Sequence, residues 1–173
     1  YAFDREYDGF VKNRTLNEDW GGSQSTGARG KLLWRPNGAF SAYVIADYSQ
    51  TKVEGPEQLW TLNRVSPVYD PFFHPPFVNL CALGVTPGFD NEVSVEEYDG
   101  RRKLENYGAS LELNLAIGEG TLTAISAYRV SEAAPGTFAI DGSPMPRFRS
   151  QSYGNESNFV SQEIRWTSPA RRA

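Results

Sequence analysis

Residues 106–129 restrict the fold more tightly than any other stretch of the chain, because they form two alternating runs joined by a glycine-containing turn. In an extended chain Tyr107, Leu111 and Leu113 fall on one side, whereas Glu112 and Asn114 fall on the other. A helix rotates by ~100° per residue and would mix the two sets. The stretch therefore predicts an antiparallel β-hairpin with one apolar and one polar face. The apolar face would meet either a protein core or lipid.

Four other segments show the same two-residue period, although less strictly. Asn37-Gly38 separates two of them and is a strong signal for a tight hairpin turn, because both residues tolerate positive φ. Pro36 ends the strand before this turn, since it has no N–H to donate to a sheet. The predicted strands lie at residues 1–13, 25–36, 39–51 and 158–167, with the hairpin at 104–132.

The connections between the predicted strands alternate in length. Tight turns are predicted at residues 36–38, 117–120 and 168–169, and longer connections at 14–22, 52–103 and 133–157. Outer-membrane β-barrels place short turns on one rim and long loops on the other, and their strands need ~9–11 residues to cross a bilayer. We therefore predict an all-β fold, an antiparallel up-and-down transmembrane β-barrel segment of about six strands. Six strands are too few to close a barrel, so the isolated segment should be an open curved sheet.

The placement of aromatic residues agrees with a membrane barrel. Trp34, Tyr48, Tyr107, Tyr128 and Trp166 fall near strand ends on the predicted apolar face. Membrane barrels carry aromatic girdles there, since such rings have one dry and one wet end. The alternative is that these rings belong to the core of a large β-sandwich.

Composition excludes several classes of site. The 173 residues carry a net charge of -4 and no basic stripe, which argues against a nucleic-acid partner. The single cysteine, Cys81, forms no internal disulfide, and the single histidine, His74, provides neither a histidine zinc site nor an ordinary Ser-His-Asp triad. No pair of acidic residues has the local spacing of an acid–base catalyst. We therefore expect no enzyme activity, no cofactor and no metal site.

Two sets of residues are functional candidates. The first lies on the polar face, where its members would hydrate a lumen and pair across strands. This set comprises Arg29, Lys31, Asp47, Glu112, Asn114, Arg129, Glu163 and Arg165. The second lies in the long connections, where aromatic rings would grip an aromatic ligand or a chelated metal; the alternative is a loop that packs only on itself. It comprises Phe72, Phe73, His74, Tyr98 and Phe138.

Five segments stand in an order that is typical of one family. They are DGFVKN at 8–13, GARGKLLWRP at 27–36, ADYS at 46–49, TLTAISAYR at 121–129 and SQEIRWTSP at 161–169. Together they resemble the early barrel strands of TonB-dependent outer-membrane receptors of the iron-complex type. The resemblance covers nearly all predicted strands and neither of the two longest connections.

This resemblance implies a barrel of about 22 strands filled by an N-terminal plug. It also implies uptake of a scarce ligand, such as a ferric siderophore or another iron complex, driven through the TonB complex. Residues 1–173 would be a partial barrel domain of such a receptor in the bacterial outer membrane, without the plug, the TonB-engaging segment or the remaining strands. Its partners would be outer-membrane lipid, the plug, the remaining strands, the TonB complex and the ligand. The polar-face residues would contact the plug.

Two other functions remain open on the sequence. A passive porin-like barrel wall shares the strand pattern. A soluble carbohydrate-binding β-sandwich would instead bury Val44, Leu111, Leu113 and Ile164 against a second sheet.

Overall fold

A computed structural model describes residues 1–55, 83–86, 88–139, 144 and 149–169. In chain order the strands are β1 (Ala2–Tyr7), β2 (Val11–Asn13), β3 (Glu18–Trp20), β4 (Ser23–Trp34), β5 (Phe40–Val53), β6 (Val93–Ser94), β7 (Arg102–Ile117), β8 (Gly120–Ala133), β9 (Gly136–Ala139), β10 (Arg149–Ser152) and β11 (Asn155–Thr167). Among these described residues, no helix is long and apolar enough to cross a membrane.

The main body is a six-stranded antiparallel sheet in the order β1-β4-β5-β7-β8-β11. It is open, since β1 and β11 do not pair with each other. The prediction of an open, all-β, six-stranded antiparallel sheet is therefore confirmed.

Tight turns join two of the neighbouring strand pairs. Between β4 and β5, the side-chain Oδ1 of Asn37 accepts hydrogen bonds from the amides of Ala39 and Phe40, each at 2.9 Å. Between β7 and β8, Gly118 has a φ of 61°, which the absence of a Cβ permits. Both turns lie where the sequence predicts them, although the second is shorter than residues 117–120.

The connections divide between two rims of the sheet. The turn rim carries residues 35–39 and 118–119, together with the end of β11. At the long-loop rim lie the strand ends that are joined through residues 8–22, 54–101 and 134–154. The predicted alternation of short and long connections is thus present in the fold.

The prediction of one strand over residues 1–13 is wrong. The first strand ends at Tyr7, and Val11–Asn13 turns away to join a second sheet. Gly9 makes the departure feasible, because a Cβ there would lie 2.7 Å from the carbonyl carbon of Asp19. Residues 14–22, predicted as a plain connection, contain β3. The predicted start of the last strand, at residue 158, is also wrong, since Asn155 already pairs with Ala133.

The second sheet lies at the long-loop rim and is called the rim sheet below. It has three short strands in the order β3-β2-β6, with β2 and β6 parallel. A separate hairpin, β9 with β10, lies in the third long connection. Neither element is predicted from the sequence, because each strand covers only two to four residues.

Burial is concentrated around the rim sheet. The buried apolar side chains among the described residues are Val11, Trp20, Val85, Val95 and Val130. Four of these five lie in or beside the rim sheet, and only Val130 belongs to the large sheet. The large sheet consequently has almost no core of its own within the described chain.

Candidate functional site

All eight predicted polar-face residues lie on the same face of the large sheet. The register places Arg29 opposite Asp47, and Glu163 opposite Ile125, which itself stands opposite Glu112. The two-residue period then fixes the others, namely Lys31, Asn114, Arg129 and Arg165. We call this surface the polar face.

An ion pair at the centre of the polar face joins two strands that are not neighbours. Nη2 of Arg129 donates to both carboxylate oxygens of Asp47, at 2.9 and 3.0 Å. Asp47 is on β5 and Arg129 on β8, and Gly108 of β7 stands opposite both. Because Gly108 has no side chain, the carboxylate and the guanidinium meet across the intervening strand. Arg29 directly opposes Asp47, yet the described contact of Asp47 is with Arg129.

A second polar group lies nearer the turn rim. Asn114 Nδ2 donates to Glu112 Oε1 at 2.8 Å, and Asn114 Oδ1 accepts from the hydroxyl of Thr123 at 2.7 Å. On β11 the guanidinium of Arg165 pairs with the carboxylate of Glu163. The polar face therefore carries charged and hydrogen-bonded side chains at its centre and towards the turn rim. Such a surface is suited to water or to a polar partner.

The opposite face is mainly apolar from β4 to β11, with Ser126 and Gln162 as polar positions. Val44, Leu111 and Ile164 expose 37%, 37% and 79% of their surface, so no described residue covers this face. Burial of these side chains against a second sheet, which the sandwich alternative requires, is thus not found within the described chain. We call this surface the apolar face.

Three tyrosines edge the apolar face towards the long-loop rim and form the tyrosine belt, Tyr48, Tyr107 and Tyr128. Each hydroxyl donates to a polar side chain on the next strand, two positions further towards that rim. The acceptors are Glu105 Oε1 at 2.6 Å, Glu132 Oε1 at 3.0 Å and Asn158 Oδ1 at 2.9 Å. The rings therefore keep their apolar bodies on the apolar face while their hydroxyls point towards the polar margin.

Another group of aromatic residues edges the same face at the turn rim and forms the turn-side belt, Trp34, Phe40 and Trp166. Trp34 and Phe40 meet edge to face, with ring centroids 5.8 Å apart. Trp166 covers Gly120, where a Cβ would lie 2.3 Å from the indole ring. The five aromatic residues that the sequence analysis places at strand ends are all members of the two belts.

The rim sheet is the best-packed part of the long-loop rim. Asn13, which is fully buried, donates through Nδ2 to the carbonyl of Glu96 at 2.9 Å. Its Oδ1 accepts from the amides of Thr15 and Leu16 at 2.9 and 3.0 Å. The hydroxyl of Thr15 reaches the carbonyl of Val95 at 2.6 Å. The Asn13 side chain thus stabilises the turn in the first long connection and hydrogen-bonds it to the second.

An open cavity of about 440 Å³ lies beside the rim sheet. Five carboxylates line it, from Glu6, Asp8, Glu18, Asp19 and Glu54. Two of them already have cationic partners, because Lys12 pairs with Asp19 at 3.2 Å and Arg101 with Glu18 at 2.7 Å. The walls of this cavity favour cationic over anionic solutes. Across the described chain, no group of three or more His, Cys, Asp or Glu residues is arranged to hold a metal ion.

The predicted ligand-binding residues are distributed differently. Phe72, Phe73 and His74 lie outside the described residues. Tyr98 is half-buried in the second long connection. Phe138 lies on β9, where its backbone pairs with Ser150.

Sequence reasoning missed Asn13, Trp20 and the acidic cavity. Asn13 precedes Arg14 and Thr15 in a short polar run, and such a run signals a turn without naming its distant partner. Compared with protein-family models, curated protein sequences and solved structures, the chain matches none of them.

Proposed function

We propose that this chain is part of the wall of a TonB-dependent receptor in the bacterial outer membrane. Its apolar face would contact lipid and its polar face the lumen and the plug. The receptor would take up a scarce ligand, such as a ferric siderophore or another iron complex, with energy passed from the TonB complex. The five-segment resemblance supports the family.

One observation carries the membrane part of the proposal. A mainly apolar face lies exposed between two aromatic belts, on a sheet whose long connections share one rim. A soluble protein rarely leaves such a surface uncovered. The belts match the interfacial position of Tyr and Trp in membrane barrels, where the ring is dry and its polar atom is wet.

The polar face supports a filled or hydrated lumen. The pair between Asp47 and Arg129 spans three strands and leaves the guanidinium half-exposed. A charged surface of this kind suits a polar plug or water, and it would be costly against lipid. The ligand-selecting residues would then lie in the connections of the long-loop rim, facing the outside of the cell.

Neighbouring positions on β7 provide a matched test of the two faces. In a Cys81→Ser background, Ala109→Cys places a fluorescent label on the apolar face and Ser110→Cys places it on the polar face. In vesicles, brominated acyl chains should quench the label at 109, and aqueous iodide should quench the label at 110. Equal quenching of the two labels by the lipid-bound bromines would contradict the membrane proposal.

TonB coupling distinguishes the receptor from a passive porin-like wall. Cells that express the gene with its native flanking sequence would be given radioactive iron as a hydroxamate siderophore complex. Uptake should stop when the TonB complex is deleted. Uptake that is equal in the deletion strain would favour the porin-like wall instead.

A further inference from the structure

We propose that the polar face binds an extended acidic segment of polypeptide along a row of cations on β1 and β4. The row consists of Arg5, Arg29, Lys31 and Arg35, and we call it the cation strip. The inference rests on the function proposed above and specifies its partner, because the segment that fills the lumen beside β4 must then carry Asp or Glu residues facing the strip.

The register places three members of the strip on one face. Arg29 and Lys31 are polar-face positions of β4. Arg5 of β1 pairs with Ser25, which precedes Arg29 by four positions and therefore points to the same side. All three side chains are exposed. They give the β1 and β4 edge of the polar face a positive charge.

The fourth member, Arg35, lies beside an open cavity at the turn rim. The cavity has a volume of about 320 Å³, and Ser41, Asn114 and Thr121 of the polar face also line it. Among the described residues that line it, Arg35 alone is charged. This end of the strip therefore favours an anionic group, in contrast to the acidic cavity beside the rim sheet.

The described sheet provides no carboxylate that neutralises the strip. Its polar face carries three described carboxylates, and each already contacts another side chain. The pairs are Asp47 with Arg129, Glu112 with Asn114 and Glu163 with Arg165. No described ion pair involves a member of the strip. A partner with complementary, negative charge is thus the one that this surface fits.

The spacing of the cations favours a long partner over a small anion. At ~3.3 Å per residue, Arg29 and Lys31 lie about 7 Å apart along β4, and Arg35 lies about 13 Å beyond Lys31. Arg5 lies about 13 Å from Arg29 in the other direction. A small anion reaches only the closest two cations. The side chains on one side of an extended polypeptide also repeat every ~7 Å, so acidic residues at alternate positions match the strip.

Apolar side chains between the cations favour a polypeptide over other polyanions. Leu33 lies between Lys31 and Arg35 and exposes 48% of its surface. It stands opposite Tyr43, and Lys31 stands opposite Ile45. Covering apolar surface stabilises a contact by ~25 cal/mol per Å². A polyphosphate has no apolar groups for these positions, whereas a polypeptide provides acidic and apolar side chains together.

The first test measures the binding of a peptide to the chain in uncharged detergent micelles by fluorescence anisotropy. The probe is a labelled peptide of about eight residues, alternating Glu and Ala, which when extended reaches from Arg29 to Arg35. A peptide with Gln in place of Glu should not bind. Lys31→Gln should raise the dissociation constant of the Glu peptide about threefold.

Arg165→Gln is the matched control for Lys31→Gln. It removes the same charge from the polar face, but from a guanidinium that already pairs with Glu163. It also frees that carboxylate, so attraction by net charge alone would make its effect the larger one. The strip predicts a smaller effect. Equal binding of the two peptides overturns the inference, as does an effect of Arg165→Gln that equals or exceeds that of Lys31→Gln.

The second test uses the full receptor in cells, expressed from the gene with its native flanking sequence. The photo-crosslinking residue p-benzoylphenylalanine replaces Ile45, which stands opposite Lys31, or Ser161 at the far end of the same row. Mass spectrometry then identifies the attached segment. Position 45 should attach to a segment with acidic residues at alternate positions, and Lys31→Gln with Arg29→Gln should lower the yield several-fold.

The outcomes at positions 45 and 161 separate this inference from the proposed function. A segment without such acidic residues at position 45, or attachment at position 161 alone, overturns the acidic partner and leaves the plug in place. If neither position attaches to polypeptide, the plug fails as well. The labels at positions 109 and 110 test the membrane location independently of both results.

Discussion

Gly108 should be among the least replaceable residues of the large sheet. A Cβ at this position would lie 2.6 Å from the carbonyl oxygen of Tyr128 and 3.4 Å from Cβ of Arg129. The nearest atom belongs to the backbone, so the two strands must separate to admit a methyl group. The added group would also stand between Asp47 and Arg129, whose ion pair crosses the strand at this point.

Two contributions set the expected loss in the free energy of unfolding for Gly108→Ala. Inserting a methyl group into a closely packed site costs ~1–3 kcal/mol. Loss of the ion pair adds at most ~1 kcal/mol, because the Arg129 side chain is 50% exposed and water screens its charge. Lower entropy of the unfolded chain returns ~0.4–1 kcal/mol. We therefore expect a net loss of about 2 kcal/mol.

Urea unfolding of the micelle-bound chain, followed by circular dichroism, measures this loss. Gly30→Ala is the matched control, because a Cβ at Gly30 meets no atom within 4 Å. It should leave stability unchanged or raise it slightly. Repeating Gly108→Ala in an Asp47→Asn background should give a smaller loss, since the pair is already absent. Equal stability of the two alanine variants would refute the steric argument.

Three further predictions, two of them with a matched control variant, test other parts of the structure. Asn13→Ala removes buried hydrogen bonds and should destabilise the rim sheet by ~2–4 kcal/mol in hydrogen exchange; Asn37→Ala, its exposed counterpart in a turn, should cost less than ~1 kcal/mol. Gly55 has a φ of 86°, and a Cβ there would lie 2.6 Å from the buried Trp20 ring. Gly55→Ala should therefore destabilise the rim sheet by ~2–3 kcal/mol, as measured by limited proteolysis. Leu111→Arg should cost ~2–4 kcal/mol in vesicles, whereas Glu112→Arg on the polar face should cost under ~1 kcal/mol.

The outcomes that would contradict these three expectations are distinct. Equal effects at positions 13 and 37 would mean that burial of the first amide contributes nothing. Unchanged proteolysis of the Gly55 variant would mean that the backbone of the rim sheet accommodates the added Cβ without loss of stability. Equal effects at positions 111 and 112 would mean that lipid does not distinguish the two faces.

The large sheet was predictable because its strands are long. Over the 16 residues of β7 the two-residue period repeats often enough to fix both faces, and Asn37-Gly38 fixes a turn. The members of the polar face therefore follow from alternation alone. Their pairing does not, because Arg29 and Arg129 both have access to Asp47 and only the gap at Gly108 favours the farther one.

The rim sheet was not predictable for the opposite reason. Its strands have two or three residues, too few to display a period. The pairing of Lys12 with Val93 joins positions about 80 residues apart, and the sequence around either position does not indicate the other as its partner. The buried Asn13 looks like an ordinary turn residue until its partner at Glu96 is known.

The pairing of β2 with β6 also bears on the order in which the chain folds. The turns at 37–38 and 118–119 close locally, so β4 with β5 and β7 with β8 are expected to zip together first. Joining these two hairpins through β5 and β7 requires closure of the connection at residues 54–101, which costs about 3 kcal/mol in chain entropy. The rim sheet draws the far end of that connection back to the first hairpin. Whichever forms first, the rim sheet or the pairing of β5 with β7, therefore lowers the entropic cost of forming the other. A variant that loses the rim sheet should assemble its two hairpins more slowly.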